Sequence, residues 1–130
     1  MKTAITFTSI FAVISLSISP ISAECFGSGD VWQDKAVARE HVVRACKGFD
    51  GQQGAFQGTF ASLEVKSACV QHSPTQKLLF SVRNGGSGPA DVNDDECVLR
   101  LQNEINGCDR GGSSIVGDWT YTADPENGIC

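Results

Sequence analysis

LEVKSACVQHSPTQKLLFSVRN, residues 63–84, decides the fold. Leu63, Val65, Ser67 and Cys69 alternate with Glu64, Lys66, Ala68 and Val70, and Leu78, Phe80 and Val82 alternate with Leu79, Ser81 and Arg83. A period of two sends successive side chains to opposite faces of a pleated ribbon, so both runs read as strands, the first with one wetter face. QHSPTQ (71–76) lies between them and makes the turn, so the two strands should pair as an antiparallel hairpin.

The pattern changes period on either side. From Asp30 to about Cys46, Trp32, Ala36, Val43 and Cys46 fall on one helical face with Val42 beside it. Gln33, Lys35, Glu40, Arg44 and Lys47 point away. Asp30 is the expected N-cap and Gly48 the expected stop. GFDGQQGAFQGTF (48–60) is glycine-spaced and reads as a loop, with a short strand near Phe56–Phe60. After a glycine-rich exit loop, Asn93 and Glu96 have the spacing of a capping box. Cys97, Val98, Leu101, Ile105 and Cys108 then share one helical face, with Arg100, Gln102, Asn103 and Glu104 outward. Ile115–Thr122 reads as a late strand and DPENG (124–128) as a turn before Cys130. Two amphipathic helices on one face of a small antiparallel sheet would bury every apolar stripe at once, so the expected class is a two-layer α+β fold.

Residues 1–23 read as a secretory leader: Lys2, an apolar run over 4–18, then Ile-Ser-Ala before Glu24. Residues 24–130 are expected to form one domain. Removing Lys2 with the leader takes the formal net charge from −5 to −6, which disfavours nucleic acid as a partner. No later run is long enough to insert in a membrane. All six cysteines (Cys25, Cys46, Cys69, Cys97, Cys108 and Cys130) lie beyond the leader, so export implies three disulfides. Cys97 and Cys108 stand about 16 Å apart along a regular helix, so each must reach another element. The sequence leaves the pairing open.

Chemistry is sparse. His41 is mid-helix and His72 is in a turn, and the basic residues that a ribonuclease site would need are scattered. Asp91, Asp94, Asp95 and Glu96 suit a helix start better than a calcium loop. No nucleophile motif or phosphate loop is present, so no enzyme, cofactor or metal is expected. GDWTYT (117–122) offers aromatic faces for a sugar together with polar groups for its hydroxyls. The candidate glycan site is therefore Asp118, Trp119 and Tyr121, with Arg110 and Asn84 from neighbouring loops. In the alternative, the two aromatics seal the core; Trp32, on the helix's apolar stripe, reads as core.

Taken together, ECFGSGDVW, the helix ending in Cys46-Lys47-Gly48, FSVRN, ECVLRLQNEINGC, GGSS and the terminal W-x-Y…DPENGIC resemble the small secreted, disulfide-bridged mushroom lectins. The resemblance spans essentially all of residues 24–130. It implies an αββα-type domain that binds glycans, preferring fucosylated GalNAc–GlcNAc (LacdiNAc-type) structures. It also implies a non-catalytic protein with an antiviral, cytotoxic or defence role. Single sugar sites are weak, so avidity would come from a homodimer or from multivalent display. Fungal effectors share a similar frame, which leaves a secreted protein-binding effector as the alternative.

Overall fold

The computed structural model describes residues 21–130. Residues 1–20 of the expected leader lie outside the described residues, and its last three, 21–23, belong to the first strand of the chain as given. The elements in order are β1 (Ile21–Cys25), α1 (Lys35–Lys47), β2 (Thr59–Phe60), β3 (Val65–Ser73), β4 (Gln76–Asn84), β5 (Ala90–Asp91), α2 (Asp94–Gly107), β6 (Gly112–Val116) and β7 (Trp119–Asn127). Five strands form one antiparallel sheet in the order β1-β6-β7-β4-β3, and β2 with β5 makes a small separate ladder. The class is the expected α+β, with two helices and three disulfides.

The antiparallel hairpin forms, with two corrections. β3 starts at Val65, leaving Leu63 outside it at positive φ. It runs to Ser73, so His72 lies in the strand and the turn is only Pro74 and Thr75 rather than 71–76. β4 alternates strictly, with Leu78, Phe80 and Val82 buried and Leu79 and Ser81 only half-buried. Its partner β3 bulges at His72, because the register steps from Gln71↔Lys77 to Ser73↔Gln76. The core is assembled from that buried face of β4, Tyr121 and Ala123 of β7, Ala38 and Val42 of α1, and Leu101 and Ile105 of α2. Phe56 and Phe60, from the loop and β2, close one end.

Four other local readings are corrected. First, α1 is capped by Asp34, whose side chain accepts from the Val37 amide, and not by Asp30. The intervening residues are held extended by tertiary bonds: the Trp32 amide donates to Asp109 O at 3.1 Å, and the Gln33 amide donates to Gln76 Oε1 at 3.1 Å. Trp32 is core as expected, its indole N–H donating to Cys108 O at 2.7 Å and its ring stacked on Phe80, but it precedes the helix. Second, the later start turns the buried stripe to Ala38, Val42, Ala45 and Cys46, leaving Ala36 and Val43 exposed. Third, Glu104 points inward and is 4 % exposed. It accepts from Ser114 Oγ, and burial, partly offset by that bond, raises its carboxyl above the usual range.

Fourth, the late strand is a hairpin of two, β6 and β7, turning at Gly117 and Asp118, and β7 runs through the expected turn to Asn127. Pro125 is tolerated there because β6 pairs with β7 only as far as Ala123, which leaves that side of β7 an open edge. The C-terminal stretch thus becomes the middle strand of the sheet. α2 is capped by Asn93, whose side chain accepts from the Glu96 amide at 3.0 Å, and its acidic first turn faces the favourable end of the helix dipole.

The disulfides are Cys25–Cys108, Cys46–Cys97 and Cys69–Cys130. They tie β1 to the end of α2, α1 to α2, and the C-terminal tail to β3. Each bridges a sequence separation of 51 to 83 residues, so loop closure gives each about 4 kcal/mol against the unfolded chain.

Candidate functional site: the uncovered face of the sheet

Both helices lie on one side of the sheet, and among the described residues no helix covers the other. Antiparallel register fixes what that uncovered face displays, because directly opposed residues line up across the strands. One row reads Ser67, Ser81, Thr122, Ser113 and Glu24 from β3 to β1. Ser113 Oγ and Thr122 Oγ1 are hydrogen-bonded at 3.0 Å. The row on one side is Val65, Arg83, Thr120 and Ile115; on the other are Cys69, Leu79 and Asp124, then Gln71, Lys77 and Glu126.

Small hydroxyl side chains between rows of larger ones make a trough. A concavity of about 490 Å³ occupies it, lined by Ser67, Leu79, Ser81, Thr122 and Asp124 among others. A second concavity of about 460 Å³ adjoins it at Asp124 and Glu126, walled by Glu24 and the loop Phe26–Gly29. Burial first, then a hydrogen bond to Glu126 and the charge of Glu126, push the Asp124 carboxyl up to about 6. Below about 6 the Asp124 carboxyl keeps its proton and can donate a hydrogen bond, and above it the group only accepts.

The five residues expected to bind glycan do not form one patch. Asp118, Trp119 and Asn84 do meet at one end of the sheet, where Asn84 pairs with Trp119 and the Gly85 amide donates to Asp118 O at 2.7 Å. Asp118 is exposed on the hairpin turn. Trp119 is half-buried and sets its ring edge-on to Phe60 at 5.1 Å, so it packs against the core. Asn84 is 1 % exposed, and its amide donates to Phe60 O, Ala61 O and Gly88 O while its oxygen accepts from the Gly86 amide. That side chain braces a loop and presents nothing to solvent. Tyr121 is buried, and its hydroxyl is pushed up to about 12 by burial and the charge of Glu96, partly countered by Arg100. Arg110 lies past the far end of β6, about 13 Å of strand away, and donates to Gly29 O.

Ser67, Ser81, Thr122, Asp124 and Arg83 were missed as site residues. Their signal was present in the alternation: Ser81 and Arg83 fall opposite the apolar set of β4, and two helices can cover only one side of a sheet. Asp94, Asp95 and Glu96 of the acidic run do begin α2, engaged by Gln57, Lys47 and Arg100 in turn, whereas Asp91 lies before it in β5. Among the described residues no three His, Cys, Asp or Glu side chains are grouped to hold a metal ion. Nor is any helix among them long and apolar enough to cross a membrane. His41, half-buried on α1, is held below its usual value by burial and by the charges of Arg44 and His72, against the pull of Glu40. No protein-family model matches the chain, and no curated protein matches it either.

Proposed function

We propose that the protein is a secreted, non-catalytic lectin that receives its glycan on the uncovered face of the sheet. The observation that carries this reading is the row of hydroxyls Ser67, Ser81, Thr122 and Ser113. The first three line a concavity whose neighbouring row adds an apolar spot at Leu79 and, directly opposite it, an acid at Asp124. Each serine or threonine hydroxyl both donates and accepts, which matches the dual role of a sugar hydroxyl. Arg83, exposed beside Ser81 on β4, adds a donor for a carbonyl such as that of an N-acetyl group. A sheet anchored at β1 and β3 by two of the three disulfides presents these groups already ordered, so little freedom is lost on binding.

The mushroom-lectin resemblance supplies the ligand class, fucosylated GalNAc–GlcNAc structures on glycoproteins of viruses, foreign cells or competitors. The disulfides suit an extracellular setting. Binding needs no cofactor, nucleic acid or membrane insertion. A glycan array tests the reading: selective binding to GalNAc-terminated fucosylated glycans is expected, with Ser81→Phe, which fills the trough, weakening it about tenfold or more. A flat array alongside capture of one defined protein partner overturns it in favour of a secreted effector.

A further inference from the structure

Phe56, Phe60 and Phe80 are buried completely, whereas Phe49 is 57 % exposed on a loop that is anything but slack. The Phe49 amide donates to Gln52 O at 3.1 Å and the Gln52 amide returns to Phe49 O at 2.9 Å, around Asp50 and Gly51, both at positive φ. That is a two-residue reverse turn whose paired amides fix the ring's position. Gly48 and Gly54 allow the loop to press on itself and on the end of α1, since a Cβ would run into Gln52 O at the first and Ala45 O at the second. The Phe56 amide donates to Ala45 O, and Gln57 ties the loop to the start of α2 by accepting from the Gly54 amide and donating to Asp94. The Arg44 guanidinium lies over the Phe49 ring, 5.0 Å from its centroid. A concavity of about 390 Å³ opens beside it, lined by Phe49, Asp50, Gln52, Gln53 and Gln57.

We propose that this loop is a second sugar site, in which one hexopyranose packs its CH face on Phe49 while Gln52, Gln53 and Asp50 bond its hydroxyls. A lone ring among planar amides, the Asp50 carboxylate and Lys47 suits a saccharide, whose faces are apolar and whose rim is polar. A protein partner would call for several clustered apolar anchors, and the lining beside Phe49 holds only glycines and polar side chains. A galacto-configured ring fits best, because its axial O4 leaves three C–H bonds together on one face. The inference extends the lectin reading. The loop caps the end of α1 in the helix layer, on the other side of the sheet from the hydroxyl trough, so no short glycan touches both. One chain would then be bivalent and could cross-link glycoconjugates without dimerising.

The test is an NMR titration of the intact disulfide-bonded protein with methyl N-acetyl-β-D-galactosaminide. Expected are saturation transfer to the sugar C–H protons and saturable shifts at Phe49 and at the Gln52 and Gln53 side-chain amides. Phe49→Ala should weaken binding at the loop about tenfold while leaving shifts at Ser81 and Thr122 intact, and Phe49→Tyr should restore it. Shifts confined to the trough overturn this site and leave the lectin reading standing. Shifts confined to the loop support this site and overturn the trough. Shifts at neither overturn both.

Discussion

Strand β4 carries two opposite assignments one residue apart. Leu78, Phe80 and Val82 are sealed under the helices at 1 % exposure or less, while Leu79, Ser81 and Arg83 face water from the other side of the same backbone. The covered face is chosen by volume: its side chains must fill space between two helices that a disulfide holds together. The uncovered face is chosen by chemistry, since nothing there constrains size and hydroxyls, a guanidinium and carboxylates are tolerated. The difference teaches where to look for function in a two-layer fold, which is on the layer that has no partner.

The largest test of that contrast is a pair of substitutions on adjacent residues. Phe80→Ala should cost roughly 3–5 kcal/mol in urea unfolding, from lost burial plus a cavity. Leu79→Ala should cost less than about 1 kcal/mol, because its neighbours do not enclose it. Comparable losses at both positions would mean that the second face is covered after all. Next in size is Asn84→Ala, expected to cost about 2 kcal/mol by stranding carbonyls of Phe60, Ala61 and Gly88. It should leave sugar affinity at the trough unchanged; a selective loss of binding at full stability would restore Asn84 as a ligand residue.

The smallest effect is a pH slope at Asp124. Its folded value of about 6 lies above its ordinary 3.8, so protonation favours the fold. That contribution is complete below the ordinary value and is lost as pH rises through about 6. Asp124→Asn should therefore gain stability relative to the parent between pH 4 and pH 7, read from thermal unfolding across that range. A difference that stays constant with pH would show that Glu126 and burial do not act on this carboxyl.

Much of the frame was legible in local pattern. The hairpin of 63–84 followed from alternation, the start of α2 from Asn93 and Glu96, and the cross-linked character from six cysteines behind a leader-like segment. Other features were set by partners distant in sequence. Asp30 and Asp34 are equally good caps locally, and bonds from Trp32 and Gln33 to Asp109 and Gln76 choose the second. Pro125 reads as a turn until β7 is seen with one side open. Glu104 reads as surface until Ser114 is brought beneath it.

The sequence alone determined the central hairpin and the bodies of both helices, because those are periodicities of a few residues, but not β1, β5 or the division of the late strand into β6 and β7. Tertiary structure alone decided the cysteine pairing, the burial of Tyr121 and Asn84, and the assembly of Ser67, Ser81, Thr122 and Ser113 into one row. Those residues come from four strands, and only hydrogen-bond register between strands brings them side by side.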